Sequence, residues 1–428
     1  MADISSATSR SVPDMPENDS DSARNVTFSP GKRFVHRLGI DIRPEYIIPA
    51  NPFLKGENEK LQPIRNSFST HLKYSFQPHH NTDMDRIFGG AYQGIGLAYY
   101  TFGEKKCLGD PVALYLFQGA RLANLDSRIS FNYEWNFGLS AGWMPHDYET
   151  NYYNTIIGSK INAYINTNFY INWMLSRKLD LTTGITLTHF SNGNTRFPNA
   201  GLNSVGLNTG LVYNFNRKNQ SLSDASFRTS ISEFPRHISY DLMLFGSWRR
   251  KGIVSGEERI PSPHTYSVMG FNFAPMYNTS YKFRVGVSID GYYDNSINIY
   301  IPEDYAGSDP PFMKPPLKEQ LVLGISARTE YVMPYFSVNM GIGYNIIHQE
   351  KGKIIYPDYN IHSNKTNDFI QPYAEDKKSL YQILALKIKV TRNSFIHIGY
   401  SLQNFDTPNF LMLGVGLRFN NKYPSLRH

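Results

Sequence analysis

Within the stretch LTTGITLTHFSNGNTRFPNAGLNSVGLNTGLVYNF, residues 181–215, His189 and Ser191 stand two positions apart. Successive residues of a strand point to opposite faces, so in a strand these two side chains project side by side. An imidazole within reach of a hydroxyl is the minimum of acyl-transfer serine chemistry: the ring takes the proton as the oxygen attacks a carbonyl. The spacing alone is weak, since most His-x-Ser pairs are surface residues without a role. Three local features set this pair apart. It closes a stripe that includes Ile185 and Leu187, where a polar pair is costly unless it has a use. It opens a loop, SNGNTRFPNAGLN, rich in Asn and Gly and able to offer amide donors to an oxyanion. It also lies at the loop end of its strand.

The elements that position the pair follow from composition and periodicity. Aromatic residues make up 14% of the 428-residue chain and charged residues only 18%, with Asn, Gly, Tyr, Thr and Ser common. That mixture favours strands and turns over helices. No run approaches the roughly 18 apolar residues of a spanning helix. A membrane barrel remains open, because its strands alternate. The formal charge of +7, without a dense Lys/Arg block, argues against nucleic acid and suits anionic lipid or sugar phosphates. The single Cys107 excludes an internal disulfide and a cysteine metal cluster. Residues 1–33 read as a disordered, polar leader without the apolar core of a signal peptide.

Period-2 segments recur from residue 34 onward, near 34–46, 66–78, 89–103, 111–121, 127–143, 161–177, 179–191 and 202–215. One face of each is apolar and the other small, polar or charged: Leu38, Ile40 and Ile42 oppose Arg37, Gly39, Asp41 and Arg43. Soluble strands average about 5–6 residues. These are longer and carry Trp and Tyr near their ends, as tilted membrane strands with aromatic girdles do. Long connections at 47–65, 104–110, 144–160 and 192–201 alternate mostly with short ones, the habit of outer-membrane barrels. The connection 79–88 is long for a periplasmic turn.

Residues 216–236 read as a linker. Eight further segments follow near 237–250, 264–277, 281–295, 318–331, 333–347, 377–391, 393–405 and 409–420. The expectation is an all-β transmembrane antiparallel barrel protein, a tandem of two eight-stranded units at 34–215 and 237–420 with a tail at 421–428. One barrel of about 14–16 strands is the alternative, since both satisfy closure with even strand numbers. Aligning Gly184 with Gly399 sets GITLTHFS over GYSLQNFD, a weak tandem duplication in which Asn404 and Asp406 replace His189 and Ser191.

The stretch THFSN, then PNAGLN, then an alternating strand, resembles the lipid A 3-O-deacylase family of outer-membrane barrels, related to acyloxyacyl hydrolases. The resemblance covers roughly 34–215 and is specific around 185–215. It implies an esterase that removes a 3-hydroxyacyl chain from lipid A, or lipopolysaccharide, in the bacterial outer membrane, with its dyad facing lipid and no cofactor. Carried over residue by residue, Ser191 is the nucleophile and His189 the general base. Asn192 follows the nucleophile, and Asn199 matches an oxyanion-stabilising Asn. Asn203 falls where the family has a Glu to orient the histidine. An Asn still accepts a hydrogen bond from the ring but supplies no charge.

Arg196, in the same loop, is a candidate for a lipid phosphate and equally a solvated loop residue. Ser29 and Lys32 match a Ser-x-x-Lys spacing without that class's other motifs. GGAYQGIG at 89–96 lacks a following helix and reads as strand glycines. His79 and His80 beside Asp83 and Asp85 read as a solvated turn rather than a metal site. Two rival functions stand beside the esterase: a non-catalytic barrel, pore or lipid-binding, with a vestigial dyad, and a soluble lipid-binding calyx. The sequence leaves oligomeric state open.

Overall fold

The computed structural model describes residues 34–78, 83–193, 195–196, 198–217, 233–250, 252–255, 258–261, 264–298, 313–348, 380–403 and 407–424. Ser29, Lys32, His79, His80, Asn404 and Asp406 lie outside these residues, as does most of 216–236. Eight strands form the first half: β1 (Phe34–Ile47), β2 (Asn66–Pro78), β3 (Tyr92–Thr101), β4 (Gly109–Asn124), β5 (Ile129–Trp143), β6 (Ile161–Met174), β7 (Leu179–Ser191) and β8 (Leu202–Asn214). Each pairs antiparallel with the next, and β8 returns to β1 with Leu211 opposite Ile40. The second half contains β9 (His237–Arg249), then a two-stranded hairpin, β10 (Gly252–Ser255) and β11 (Glu258–Pro261), in a stretch that reads as a plain connection. It continues through β12 (Tyr266–Asn278), β13 (Phe283–Asp294), β14 (Leu321–Val332), β15 (Phe336–His348), β16 (Leu380–Lys389), β17 (Ser394–Gln403) and β18 (Thr407–Phe419). Here β18 closes onto β9, with Leu413 opposite Gly246. Each half thus carries its own closing pair, so the chain forms two eight-stranded barrels and not one larger one.

The alternation sorts side chains as a membrane barrel requires. Outward positions are apolar and exposed, Leu207 and Val415 at 61% and 64% among them. Inward positions are mostly polar, and many of the charged ones pair with one another. In the first barrel Asp41 meets Arg43 at 3.2 Å and Lys73 at 2.8 Å, while Arg43 also donates to Asn166 at 2.9 Å. In the second, Glu330 meets Lys387 at 2.8 Å and Arg284 at 3.2 Å, and Asp241 meets Arg418 at 2.6 Å. Closed barrels satisfy every backbone group across their ladders, as hydrocarbon demands.

Two connections of the first barrel carry short helices. Helix α1 (Pro52–Lys55) is capped by the Asn51 side chain accepting from the Phe53 amide. Helix α2 (Asp83–Phe88) accounts for the length of the 79–88 connection: Met84, Ile87 and Phe88 bury against Ala120 and Tyr281, which a tight turn could not do.

Candidate active site

His189 lies on β7 directly opposite Asn203 on β8. Such cross-strand partners have Cβ atoms roughly 4.5–5.5 Å apart. Here His189 Nδ1 and Asn203 Oδ1 are 2.7 Å apart. A carboxamide oxygen only accepts, so Nδ1 carries the hydrogen and Nε2 keeps its lone pair. Ser191 is the last residue of β7 and pairs with Ala163 on β6. Gly201 borders both side chains. A Cβ built there would stand 3.3 Å from His189 Cε1 and 3.7 Å from Ser191 Cβ. Its φ of +72° lies in the left-handed region, which glycine occupies without cost.

The loop after Ser191 is wound around Asn192. The Asn192 amide donates to Asn199 Oδ1 at 2.9 Å, and its Nδ2 donates to the Arg196 carbonyl at 2.9 Å. The Asn192 carbonyl accepts from the Thr195 amide at 3.2 Å and from Thr195 Oγ1 at 2.8 Å. The sequence-proposed residues Ser191, His189, Asn203, Asn192 and Asn199 therefore come together at one strand end. Arg196 is exposed at the loop's edge and contributes its backbone to Asn192.

Residues outside the motif hold this platform. Phe190 points inward between His189 and Ser191 and meets Tyr100 and Trp143 edge-on, ring centroids 5.0 and 4.9 Å apart. The Gly201 amide donates to the Ile156 carbonyl at 3.2 Å. Asn154 in turn accepts from the Ile156 and Ile157 amides and donates to the Cys107 and Met144 carbonyls. Phe190 was visible in the alternation. Asn154 carried no signal, because its partners are backbone groups of its own loop and of the loop that holds Cys107.

A second Ser/His pair of the same spacing sits on β2. Ser69 Oγ lies 3.0 Å from His71 Nε2, and His71 Nδ1 lies 2.9 Å from Tyr115 Oη. Both residues face the lumen and are fully buried, so no acyl chain reaches them. Hydrogen-bond geometry does not by itself make a site; Ser69 and His71 are sealed in the lumen, whereas His189 is half-buried on the outward face and Ser191, at 9%, is only just buried.

The profile described as lipid A 3-O-deacylase (PagL) matches residues 70–212, and the one described as acyloxyacyl hydrolase, C-terminal domain, matches 238–371 and 359–421. Both barrels carry profiles of the lipid A 3-O-deacylase family. The deacylase segment runs from β2 into β8 and contains the His189–Asn203 pair; the C-terminal profile spans the second barrel. A comparison with curated proteins found no match. Solved structures similar to this chain include neisserial surface protein A, at 9% identity and a TM-score of 0.28, covering 42% of this chain and 97% of that one. Another is the outer membrane enzyme PagL, at 14% identity and a TM-score of 0.25, covering 41% of this chain and 97% of that one.

Proposed function

We propose that this protein is an outer-membrane serine esterase that removes a 3-hydroxyacyl chain from lipid A. The observation that carries this reading is the 2.7 Å contact between His189 Nδ1 and Asn203 Oδ1 at the end of an outward apolar stripe. It leaves Nε2 as the base, on the side where acyl chains lie. Ser191 Oγ attacks the ester carbonyl as His189 takes its proton, and the imidazolium then protonates the departing sugar oxygen. Water completes the cycle by the same proton path in reverse. The oxyanion is stabilised by the Asn199 carboxamide, which the Asn192 amide orients, and the acyl chain lies along Ile185, Leu187 and Leu207. Arg196, exposed at the rim, meets a lipid A phosphate. The vestigial-dyad reading loses ground because the orienting contact is made.

The test is mass spectrometry of lipid A from outer membranes with and without the protein. One 3-hydroxyacyl group disappears when the protein is present; identical spectra end the proposal.

Two substitutions probe the arrangement more finely. Asn203 holds the ring by a neutral hydrogen bond, worth about 0.5–1.5 kcal/mol net, against about 1.5–3 for a bond to a charged group. Asn203→Glu is expected to raise turnover, because a carboxylate stabilises the imidazolium, and Asn203→Ala to lower it by freeing the ring. Wild-type rates in both would show that the contact does not orient the base. Gly201→Ala forces a left-handed alanine, at about 1–2 kcal/mol, and sets its methyl against both dyad residues. Turnover on lipid A micelles should drop about a hundredfold while the barrels stay folded; an unaffected rate would mean substrate does not use the space beside Gly201.

A further inference from the structure

Some outward positions of the first barrel meet protein. Trp135 and Phe137 of β5 pack against Met333, Phe336 and Leu386 of the second barrel, with the Trp135 and Phe336 ring centroids 4.8 Å apart. Phe76 of β2 meets Tyr335 edge-on at 5.6 Å. A further contact falls on the active-site loop itself. A Cβ at Gly193, two residues after Ser191, would stand 3.2 Å from Tyr400 Cε2 and 3.6 Å from Leu411 Cβ. Gly193 is buried with φ +63°. Tyr400 projects from β17 in the outward row of Ile396 and Ile398. An aromatic ring on the outside of the second barrel thus occupies the space that a side chain at position 193 would need. Among the described residues Tyr400 Oη is buried without a hydrogen-bond partner, so the ring and not the hydroxyl makes the contact.

Gly193 is joined directly to Asn192, whose amide orients Asn199 and whose carbonyl anchors the Thr195 turn. A shift of Gly193 therefore moves the groups beside the nucleophile. We propose that the second barrel is a working part of the deacylase site: Tyr400, with Leu411 beside it, is a positioning residue that holds the Asn192–Gly201 loop by packing on Gly193. The inference rests on the reading of Ser191 as nucleophile. It gives the second half of the chain a geometric role that requires no reactive group of its own. Loosening the loop displaces oxyanion donors and leaves the apolar stripe of Ile185 and Leu187 untouched. The rate constant should therefore respond more than substrate binding.

The experiment measures kcat and KM on lipid A micelles for the full-length protein and five variants. Tyr400→Ala is expected to lower kcat by roughly tenfold to a hundredfold with KM little changed, the size of loss a small misplacement produces. Tyr400→Phe keeps the ring and should keep wild-type kcat. Val415→Ala, at an exposed outward position of β18, should change nothing. Where Tyr400→Ala fails to fold, Gly193→Ala disturbs the same contact from the loop side and should lower kcat alike. Wild-type kcat in Tyr400→Ala or in Gly193→Ala overturns the proposal, as does a Tyr400→Phe enzyme as slow as Tyr400→Ala. Ser191→Ala, run alongside, separates the two readings. Full turnover there ends the nucleophile assignment, whereas wild-type turnover in Tyr400→Ala beside an inactive Ser191→Ala ends the positioning role alone.

Discussion

Ser191→Ala is expected to leave lipid A fully acylated, with kcat reduced on the order of 10⁴-fold or more, as when a serine nucleophile is removed from a unit that acts as a whole. His189→Ala should match it. The double variant should be no worse than either single one, because once one member is lost the other has nothing to act upon. Both residues lie at the end of β7, outside the charged lumen network, so the barrels should form normally in all three proteins. Folding can be checked by the shift in gel mobility on heating, and acyl loss by mass spectrometry. Two outcomes would remove the dyad assignment: wild-type acyl loss in either variant, or additive losses in the double one.

The second large effect is on stability, in the other barrel. Glu330 is fully buried and faces three cations: Lys387 at 2.8 Å, Arg418 at 3.1 Å and Arg284 at 3.2 Å. Ser337 Oγ also donates to it, at 2.7 Å. Asp241 is the other carboxylate that meets Lys387 and Arg418. Glu330→Gln removes one of these two anions and leaves Arg284 without its carboxylate, and breaking a buried pair from one side costs about 3–5 kcal/mol. The expected result is a lower urea midpoint for the second barrel, read from Trp248 fluorescence in a background where Trp135, Trp143 and Trp173, all in the first barrel, are replaced by Phe. An unchanged midpoint would mean that lumen water, not Glu330, carries the charge balance. If Tyr400 positions the catalytic loop, the same variant should also slow deacylation, although no group of the first barrel is altered.

The positions of the sixteen barrel strands were legible from the sequence because the signal is local; the short β10–β11 hairpin was not. A period of two repeated over a dozen residues declares a strand, and a large apolar face opposite a small or charged one declares its solvent. The expected segments 66–78, 161–177 and 179–191 meet strands at Asn66–Pro78, Ile161–Met174 and Leu179–Ser191. The short helix Asp83–Phe88 was missed because its apolar side is satisfied by Ala120 and Tyr281, residues distant in the chain. The pairing of His189 with Asn203 was within reach of counting along the loop, since the register of a hairpin follows its connection.

Other features depended on contacts that no local pattern encodes. Closure into two barrels was decided by β8 returning to β1 and β18 to β9; before those pairings, one larger cylinder satisfied the same alternation. The sequence by itself determined that strands alternate, that their apolar side faces lipid, and that a histidine and a serine share that side. Tertiary structure alone decided which Ser/His pair is reachable, sealing Ser69 and His71 in the lumen and leaving His189 half-covered at the rim. It also decided that Tyr400, more than 200 residues downstream of Ser191 in the chain, packs on the loop that follows that serine. The physical reason is common to both: side-chain direction is set by the residue's own backbone, whereas burial is set by whatever the rest of the chain brings against it.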